Sequence, residues 1–356
     1  MTIVPAVPRG APARGRVTAR GDIAVVIVNY RTTDVLADCL AALRAATGLA
    51  PDLRVVIVDN ASGGDTPQQL NALVAACRPA LRAEWHGAER NGGFAFGNNV
   101  GLRRVLGDAA PARYVLLLNP DTRVAPDAVA TLADFLDAHP AAGIAGARLE
   151  GPTGQAQASA HAVPSPLTEF LRAARLYSLA PLWPQVVTST APRQVAHRCD
   201  WVSGAAFMVR RKVFAQVGLL DEGFFLYFEE VDFCLRARRA GWEVWHVPEA
   251  RIVHLEAAAT GIRAADRPRP RYWFDARRRF FRKHYGLAGW LAADLLWLFG
   301  RLVRPVRKLL RPHQPLPHDP PRFARDLLLG DLAALLRTHR PDARNNPGRS
   351  TSRPTG

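Results

Sequence analysis

Three apolar runs in the first third of the chain each stop abruptly at polar residues. They are Ile23–Val28 before Asn29-Tyr30, Leu53–Val58 before Asp59-Asn60, and Tyr114–Leu118 before Asn119-Pro120-Asp121. The last run has no polar position, which is typical of a strand covered on both faces of a parallel sheet. Helical patterns follow the three runs, at Asp34–Ala46, Thr66–Cys77 and Pro126–His139. Thr33 and Asp65 are the candidate N-caps. Strands and helices alternating at this spacing predict an α/β fold with a mostly parallel sheet.

Two shorter strands complete the first half of the chain, at Ala83–His86 and Gly143–Ala147. The second half has less regular alternation of strands and helices. Later elements are a strand at Trp201–Val209, helices at Arg211–Val217 and Glu229–Ala240, and closing strands at Trp242–Val247 and Ala250–His254. Basic, aromatic helices follow at Tyr272–Tyr285, Leu287–Val303 and Arg322–Leu336. We therefore expect a disordered tail over 1–21, an α/β domain over 22–262, a helical extension over 263–340 and a second disordered tail over 341–356.

Composition narrows the class of protein. The 356 residues are 48% hydrophobic and 22% charged, as in a globular protein, but the formal charge is +16. Such an excess suits nucleic acid, an anionic membrane or phosphorylated ligands. Because no helix-turn-helix, zinc-finger or RNP pattern is present, nucleic acid is not the expected partner. Four cysteines without CxxC spacing argue against a zinc site or disulfide framework and indicate a reducing cytosol.

The polar residues that follow the three strands are candidates for a nucleotide site. The carboxyl ends of neighbouring parallel strands meet at one edge of a sheet, where open α/β folds bind ligands. The missing GxGxxG and P-loop patterns exclude the usual dinucleotide and triphosphate sites. A base would lie against Tyr30 or Arg31, and Asp59 could accept a hydrogen bond from a pyrimidine N–H. The alternatives are an ordinary turn at Asp59 and a helix cap at Asp121.

A glycine loop supplies a second candidate feature. Asn91-Gly92-Gly93 precedes a helix, so its backbone can approach a ligand closely and the helix N-terminus would favour a phosphate. A structural turn is the alternative.

Glu229, Glu230 and Asp232 form the densest acidic feature, at a helix start among aromatic residues. The helix dipole favours their ionised forms and the apolar neighbours oppose ionisation. Residues 229 and 232 share a helix face, whereas Glu230 points elsewhere. An aromatic setting is costly for three charges, which favours a functional role over simple charge complementarity. His254, at the end of the last predicted strand, could offer an imidazole nitrogen to a metal, although a structural role is the alternative.

Seven blocks of the chain, in their order and spacing, resemble glycosyltransferase family 2 and its rhamnosyltransferase-like branch. The blocks are VVIVNY (25–30), VIVDNAS (56–62), NGGFAFGNNVG (91–101), LLLNPDT (116–122), WVSGAAFMVRR (201–211), GFFLYFEEVDFCLRARRAGW (223–242) and IVH (252–254). The resemblance implies a GT-A fold and an inverting transfer from a nucleotide-diphosphate sugar, with dTDP-rhamnose favoured. It also implies Mg²⁺ or Mn²⁺ as cofactor. The implied acceptor is a glycan or lipid-linked glycan in cell-wall or polysaccharide assembly.

The resemblance also implies roles for individual residues. Nucleotide or donor binding falls to Asn29, Tyr30, Asp59, Asn91, Gly92, Gly93 and Asn119. Asp121 and His254 match the metal site, and Glu230 matches the catalytic base. Because the usual base is Asp, the assignment between Glu230 and the nearby Asp232 stays open. A base at a helix N-terminus is expected to rest deprotonated.

This sequence departs from the family pattern at two further places. Asn119 replaces the first acidic residue of the DxD-like motif, which leaves Asp121 as the strand-end carboxylate. The Gly-rich stretch after the histidine is Glu256–Thr260 here.

The helical extension allows two interpretations. Leu287–Val303 is apolar but interrupted by Asp294 and Arg301, so it is too short and too polar for a membrane span. Its basic flanks are Arg282, Lys283, Arg304 and Arg307. An interfacial helix on an anionic bilayer would make a cytoplasmic protein peripheral on the inner face of the cell membrane. The alternative is an ordinary helix packed on the catalytic domain or a dimer partner. Rival functions are a catalytically impaired scaffold and a basic membrane- or nucleic-acid-binding protein.

Overall fold

The structure, a computed structural model, describes residues 23–46, 53–176, 193–255, 267–310 and 319–338. The tails predicted at 1–21 and 341–356, and the stretch Glu256–Thr260, lie outside the described residues. The first half contains β1 (Ile23–Asn29), α1 (Thr33–Arg44), β2 (Leu53–Asp59), α2 (Thr66–Cys77), β3 (Leu81–Gly87), α3 (Gly93–Leu106), β4 (Tyr114–Leu118), β5 (Thr122–Val124), α4 (Ala128–Ala138), β6 (Ala142–Glu150), β7 (Ala160–His161) and α5 (Pro166–Ala174).

The second half contributes strands that run opposite to most of the sheet and further helices. Its elements are β8 (His197–Cys199), β9 (Trp201–Val202), β10 (Ala206–Arg210), α6 (Arg211–Val217), α7 (Glu229–Arg239), β11 (Glu243–His254), α8 (Arg271–Leu310) and α9 (Phe323–Thr338).

A central sheet joins these elements in the order β3-β2-β1-β4-β10-β6-β11-β5, with β8 beside β11. β3, β2, β1 and β4 are parallel, and β10 runs antiparallel to both of its neighbours. One apolar core lies beneath α1, α2 and α4, and a second lies on the other face beneath α3, α6 and α7. The α/β fold with a largely parallel sheet is therefore confirmed, with a reversed strand at its centre.

Three strand predictions need correction. The strand predicted at Trp201–Val209 is two strands, because the chain turns between β9 and β10 and β9 pairs with β7 outside the main sheet. The two closing strands are one strand, β11, which changes register between Val247 and Arg251. The short strand β5 was not predicted, and it pairs with the end of β11.

One of the two predicted helix caps is wrong. Thr33 is the first residue of α1, and the N-cap position belongs to Thr32. The Thr32 hydroxyl donates to the Asn29 side-chain carbonyl at 2.9 Å instead of capping the helix. Asp65 occupies the N-cap position of α2, but its side chain forms no capping hydrogen bond. The start of α1 is thus bonded to the strand end that precedes it.

The extension packs on the α/β domain through its inner face. Phe280, Phe281 and Trp290 of α8 are buried in a cluster with Phe224 and Val231. Arg277 is also buried, and its guanidinium bonds to Glu169 of α5 at 3.0 Å and to Asp294 at 2.6 Å. Because a buried charge is tolerated only when it is paired, this ion network ties α5 and α8 together.

α8 bends sharply at one residue. Gly286 has φ 68° and ψ −171°, so two helices meet there, in agreement with the two predicted from the sequence. Among the described residues, Arg271–Pro305 is the one helix that by length and composition could cross a membrane, with a mean hydropathy of 1.3 in its most apolar window. Only 28% of that window is buried.

Candidate active site

The ends of β1 and β2 form a rigid polar corner. Asn29 and Asp59 are opposite each other in the parallel register, and both are buried. The Asn29 amide donates to Asp59 Oδ1 at 3.0 Å, and Ser62 donates to the same carboxylate through its hydroxyl and its backbone N–H. A carboxylate has about four acceptor sites, so Oδ2 can still accept from a ligand N–H. The exposed ring of Tyr30 lies beside this corner, with the Arg31 guanidinium 5.3 Å from its centroid.

The glycine loop lies against the same corner. The Asn60 side chain donates to Asn91 Oδ1 and to the Gly93 carbonyl, both at 3.0 Å, which links the end of β2 to the start of α3. Gly93 has φ +86°, and a Cβ there would lie 1.9 Å from the Phe225 carbonyl oxygen. The Phe94 N–H donates to that carbonyl at 2.8 Å. Only glycine fits at position 93, because the loop is pressed against the segment that leads into α7. Gly92 precedes it at the N-cap position of α3.

Asp121 and His254 meet at the end of the sheet, although they are 133 positions apart in the chain. β5 pairs antiparallel with β11, so His254 is opposite Thr122. His254 Nε2 lies 3.3 Å from Asp121 Oδ1, and the Leu255 N–H donates to the Asp121 carbonyl at 3.0 Å. Asp121 does not cap α4, which begins at Ala128 with Asp127 at its N-cap. The strand end therefore presents a carboxylate beside an imidazole.

This pair suits a hard divalent cation that binds together with a phosphate-bearing substrate. Carboxylate oxygen and imidazole nitrogen are both accepted ligands, but Mg²⁺ and Mn²⁺ want about six. Among the described residues no group of three or more His, Cys, Asp or Glu side chains could hold a metal. Within the part of the chain that the structure describes, Asp121 and His254 could supply two ligands, and phosphate oxygens and water could supply the others. The residues fit a cation that is shared with a bound diphosphate.

Glu230 lies against the turn between β9 and β10, which borders this strand edge. The Asn119 N–H donates to the Ala205 carbonyl at 2.8 Å, which ties that turn to the end of β4. A Cβ placed on the adjacent Gly204 would lie 3.7 Å from the Cβ, Cγ and Cδ atoms of Glu230. The glutamate therefore lies along the backbone that borders Asn119 and, two residues on, Asp121.

Burial raises the pKa of both glutamates at the start of α7. Burial raises the pKa of Glu230 to about 7, and the peptide N–H groups at the helix start only partly offset it. Burial and the Glu230 carboxylate raise the pKa of Glu229 well above its usual range. The expectation of a base that rests fully deprotonated is therefore wrong, because desolvation outweighs the helix dipole. Glu230 Oε2 is buried and has no hydrogen-bond partner among the described residues.

Asp232 has different surroundings from Glu230. It is fully buried, and it bonds to the Arg236 guanidinium, the Lys283 ammonium and His284 Nε2 at 2.8, 2.7 and 2.8 Å. Burial opposes its ionisation, but these three partners outweigh burial and hold its pKa well below the usual range. A carboxylate this strongly paired is a poor proton acceptor, so the geometry favours Glu230 over Asp232 as the base.

Sequence reasoning missed several residues of the site. Ser62 stood inside a recognised block, and its spacing of three from Asp59 is the signal of a local turn that could have identified it. Gly204 likewise stood inside a recognised block. Lys283 and His284 carried no signal, since nothing in the pattern relates them to an aspartate about fifty positions earlier.

The fold is that of GT-A glycosyltransferases. The mannosyltransferase PcManGT from Pyrobaculum calidifontis, solved with GDP-Man and Mn²⁺, superposes with a TM-score of 0.54 over 90% of this chain and 81% of that chain, at 17% identity. At this identity the likeness concerns the fold alone.

Sequence comparisons define the family. The model for glycosyl transferase family 2 matches residues 24–218. The N-acetylglucosaminyl-diphospho-decaprenol L-rhamnosyltransferase of Mycobacterium tuberculosis is 32% identical over 286 residues, which cover 77% of this chain and 87% of that protein. The low-salt glycan biosynthesis hexosyltransferase Agl10 of Haloferax volcanii is 26% identical over 239 residues, or 67% of this chain and 68% of that one. The chain belongs to glycosyl transferase family 2 and is a glycosyltransferase.

Proposed function

We propose that the protein moves a sugar, with rhamnose favoured, from a nucleotide-diphosphate donor to a hydroxyl of a lipid-linked glycan. The mycobacterial relative is by name a rhamnosyltransferase of N-acetylglucosaminyl-diphospho-decaprenol. The observation that carries the proposal is the position of Glu230 along Gly204, in the turn that is bonded to Asn119 at the strand end before Asp121.

The strand edge would hold the donor. The nucleotide base of the donor stacks on Tyr30 and donates a hydrogen bond to Asp59, beside Asn29. The diphosphate lies against Asn119 and the loop of Asn91, Gly92 and Gly93, at the N-terminus of α3. Asp121 and His254 would hold Mg²⁺ or Mn²⁺, which neutralises the negative charge of the departing diphosphate.

Glu230 would act on the acceptor. Its Oε2 atom takes the proton from the attacking hydroxyl while that oxygen approaches the anomeric carbon on the side opposite the diphosphate. Attack from the opposite side inverts the configuration at that carbon. A positioned base of this kind contributes about 10²–10⁴-fold to the rate.

A lipid-linked acceptor places the protein at a membrane surface. The outer faces of α8 and α9 carry exposed apolar side chains, which we call the apolar face: Leu287, Leu295, Phe299, Leu302, Leu328, Leu329, Leu332 and Leu336. Together with the formal charge of +16, this face suits an anionic bilayer. We place the protein in the cytoplasm, peripheral on the membrane.

A donor panel tests the proposal. The full chain is incubated with dTDP-rhamnose, UDP-galactofuranose, UDP-GlcNAc or GDP-mannose, a GlcNAc-diphospho-lipid acceptor and Mn²⁺. Mass spectrometry and NMR identify the product. We expect rhamnose transfer with inverted configuration; transfer from none of the donors, or retention of configuration, contradicts the proposal. Asp121→Ala serves as the control for the cation, because it should lose Mn²⁺-dependent donor binding measured by calorimetry.

A further inference from the structure

Three aromatic side chains form one wall, and two of them lie on the segment that leads to the proposed base. The ring centroids of Phe225 and Tyr272 are 5.5 Å apart, and those of Tyr227 and Tyr272 are 6.2 Å apart with their planes within 20° of parallel. Phe225 is 40% exposed, and the two tyrosines are half-buried. We call these three residues the aromatic wall.

Two residues of the aromatic wall, Phe225 and Tyr227, lie on the segment between the donor loop contact and the start of α7. The Phe225 carbonyl accepts the Phe94 N–H and lies against Gly93, in the loop assigned to the donor. Tyr227 precedes Glu230 by three residues. The acceptor must lie next to the base and opposite the departing diphosphate, so a surface between the base and the donor loop is on the acceptor's path.

Packing alone does not account for this arrangement. Tyr227 and Phe228 have φ values of 73° and 69°, the left-handed region that a side chain with a Cβ rarely adopts. Two consecutive strained residues persist only where the surroundings impose them, and such strain concentrates at functional sites. Phe225 remains exposed although Phe224, next to it, is fully buried.

Tyr272 brings the extension into the site. It lies in the first turn of α8, after the domain that carries the strand edge. Its ring is the member that contacts both of the others. The wall is thus assembled from the catalytic domain and the extension together.

We propose that the aromatic wall binds the saccharide of the acceptor by stacking against one face of its ring. The C–H groups on one face of a pyranose are apolar and weakly positive, which suits the negative face of an aromatic ring. This inference rests on the proposed function and names the surface that recognises its second substrate. It also makes Tyr272 a residue of the acceptor site.

Two substitutions in the full chain test the inference. Tyr272→Ala removes the ring, and Tyr272→Phe keeps it and serves as the matched control. We expect Tyr272→Ala to raise the acceptor KM by about 3- to 10-fold, the magnitude of one aromatic stacking contact, and Tyr272→Phe to stay near wild type. The donor KM should not change in either variant.

Two results for Tyr272→Ala would overturn the inference. A wild-type acceptor KM in Tyr272→Ala overturns the inference, and so does an equal rise in the donor KM, which would assign the wall to the donor. If Tyr272→Ala does not fold by circular dichroism, Phe225→Ala replaces it, because that side chain is already exposed. Failure of the wild-type protein to glycosylate any acceptor rejects the proposed function itself, before the variants are compared.

Discussion

Glu229 and Glu230 are adjacent carboxyl groups with different surroundings. Glu229 is buried in the protein, whereas Glu230 lies along Gly204 and is half-buried. Burial and the neighbouring Glu230 carboxylate raise the pKa of Glu229 well above its usual range, which opposes a second negative charge beside Glu230. Burial raises the pKa of Glu230 to about 7, the range in which a general base works best.

Glu230→Gln should separate catalysis from binding. The amide cannot take a proton from the acceptor, so we expect kcat to fall about 10²–10⁴-fold while the donor KM changes little. Exposed Glu249 provides the control Glu249→Gln, which should leave kcat unchanged. Steady-state kinetics with both substrates measures the effect. A wild-type kcat in Glu230→Gln would remove the glutamate from the role of base.

The raised pKa of Glu230 predicts an acidic limb in the pH profile. Below pH 7 the carboxyl is protonated and cannot act as a base, so kcat/KM should fall about tenfold per pH unit there. The folded state holds this proton up to about pH 7 and the unfolded state releases it near pH 4.5, so the group destabilises the fold as pH rises through that window. Glu230→Gln should consequently melt no lower than wild type at pH 8. An acidic limb of the kcat/KM profile centred near pH 4.5 would contradict the assignment of Glu230 as the base.

At the scale of elements, α7 is held in place by the segment that follows α6 and by α8. Arg236 bonds to Asp232 one turn earlier and to the carbonyls of Val217 and Leu219. Lys283 and His284 reach the same aspartate from α8, and Arg239 donates to His284 Nδ1 at 2.9 Å. The helix that presents Glu230 therefore depends on the extension for its position.

Asp232→Asn tests this arrangement through stability. The substitution leaves Arg236 and Lys283 without their buried anion, so we expect a loss of about 3–5 kcal/mol in the free energy of unfolding. The matched control is Asp38→Asn, which breaks a surface pair with Arg123 and should cost about 1 kcal/mol or less. Urea unfolding measures both. Equal losses in the two variants, or a stable Asp232→Asn protein that lacks kcat, would argue that Asp232 acts in chemistry.

At the scale of the whole molecule, the extension has two unlike faces. Its inner face carries the buried Arg277 network and packs on the α/β domain, whereas its outer face exposes leucines and a phenylalanine. The two interpretations of the extension drawn from the sequence are thus compatible. One face can pack on the domain while the other meets a membrane.

Liposome flotation tests the outer face. Wild-type protein should float with vesicles that contain phosphatidylglycerol, and less so at high salt, because salt screens the attraction of the basic protein for the surface. Replacing Leu295, Phe299 and Leu302 together by Gln should lower the bound fraction about tenfold or more. Leu167→Gln, an exposed leucine outside these helices, is the control. Equal flotation of the triple variant and wild type would reject the membrane face.

The sequence alone determined where most strands and helices lie and which polar residues follow the strands. Strand and helix periods are set by neighbouring residues, so β1, β2, β4, α2 and α6 lie where the pattern predicted them within a residue. The polar residues after those strands had to meet at one edge, because the strands are parallel. The irregular part, the strand β5 and the break before β10, was missed because it depends on pairing with distant strands.

Only the tertiary structure decided what each acidic residue does. The periodicity showed that Glu229 and Asp232 share a face, but it could not show that Asp232 is bonded by Lys283 and His284 or that Glu230 is desolvated beside Gly204. Both facts follow from contacts between residues far apart in the chain, and burial of this kind shifts a pKa more than a local helix dipole does. The same long-range contact brought Tyr272 of the extension to Phe225 and Tyr227, which no local pattern encodes.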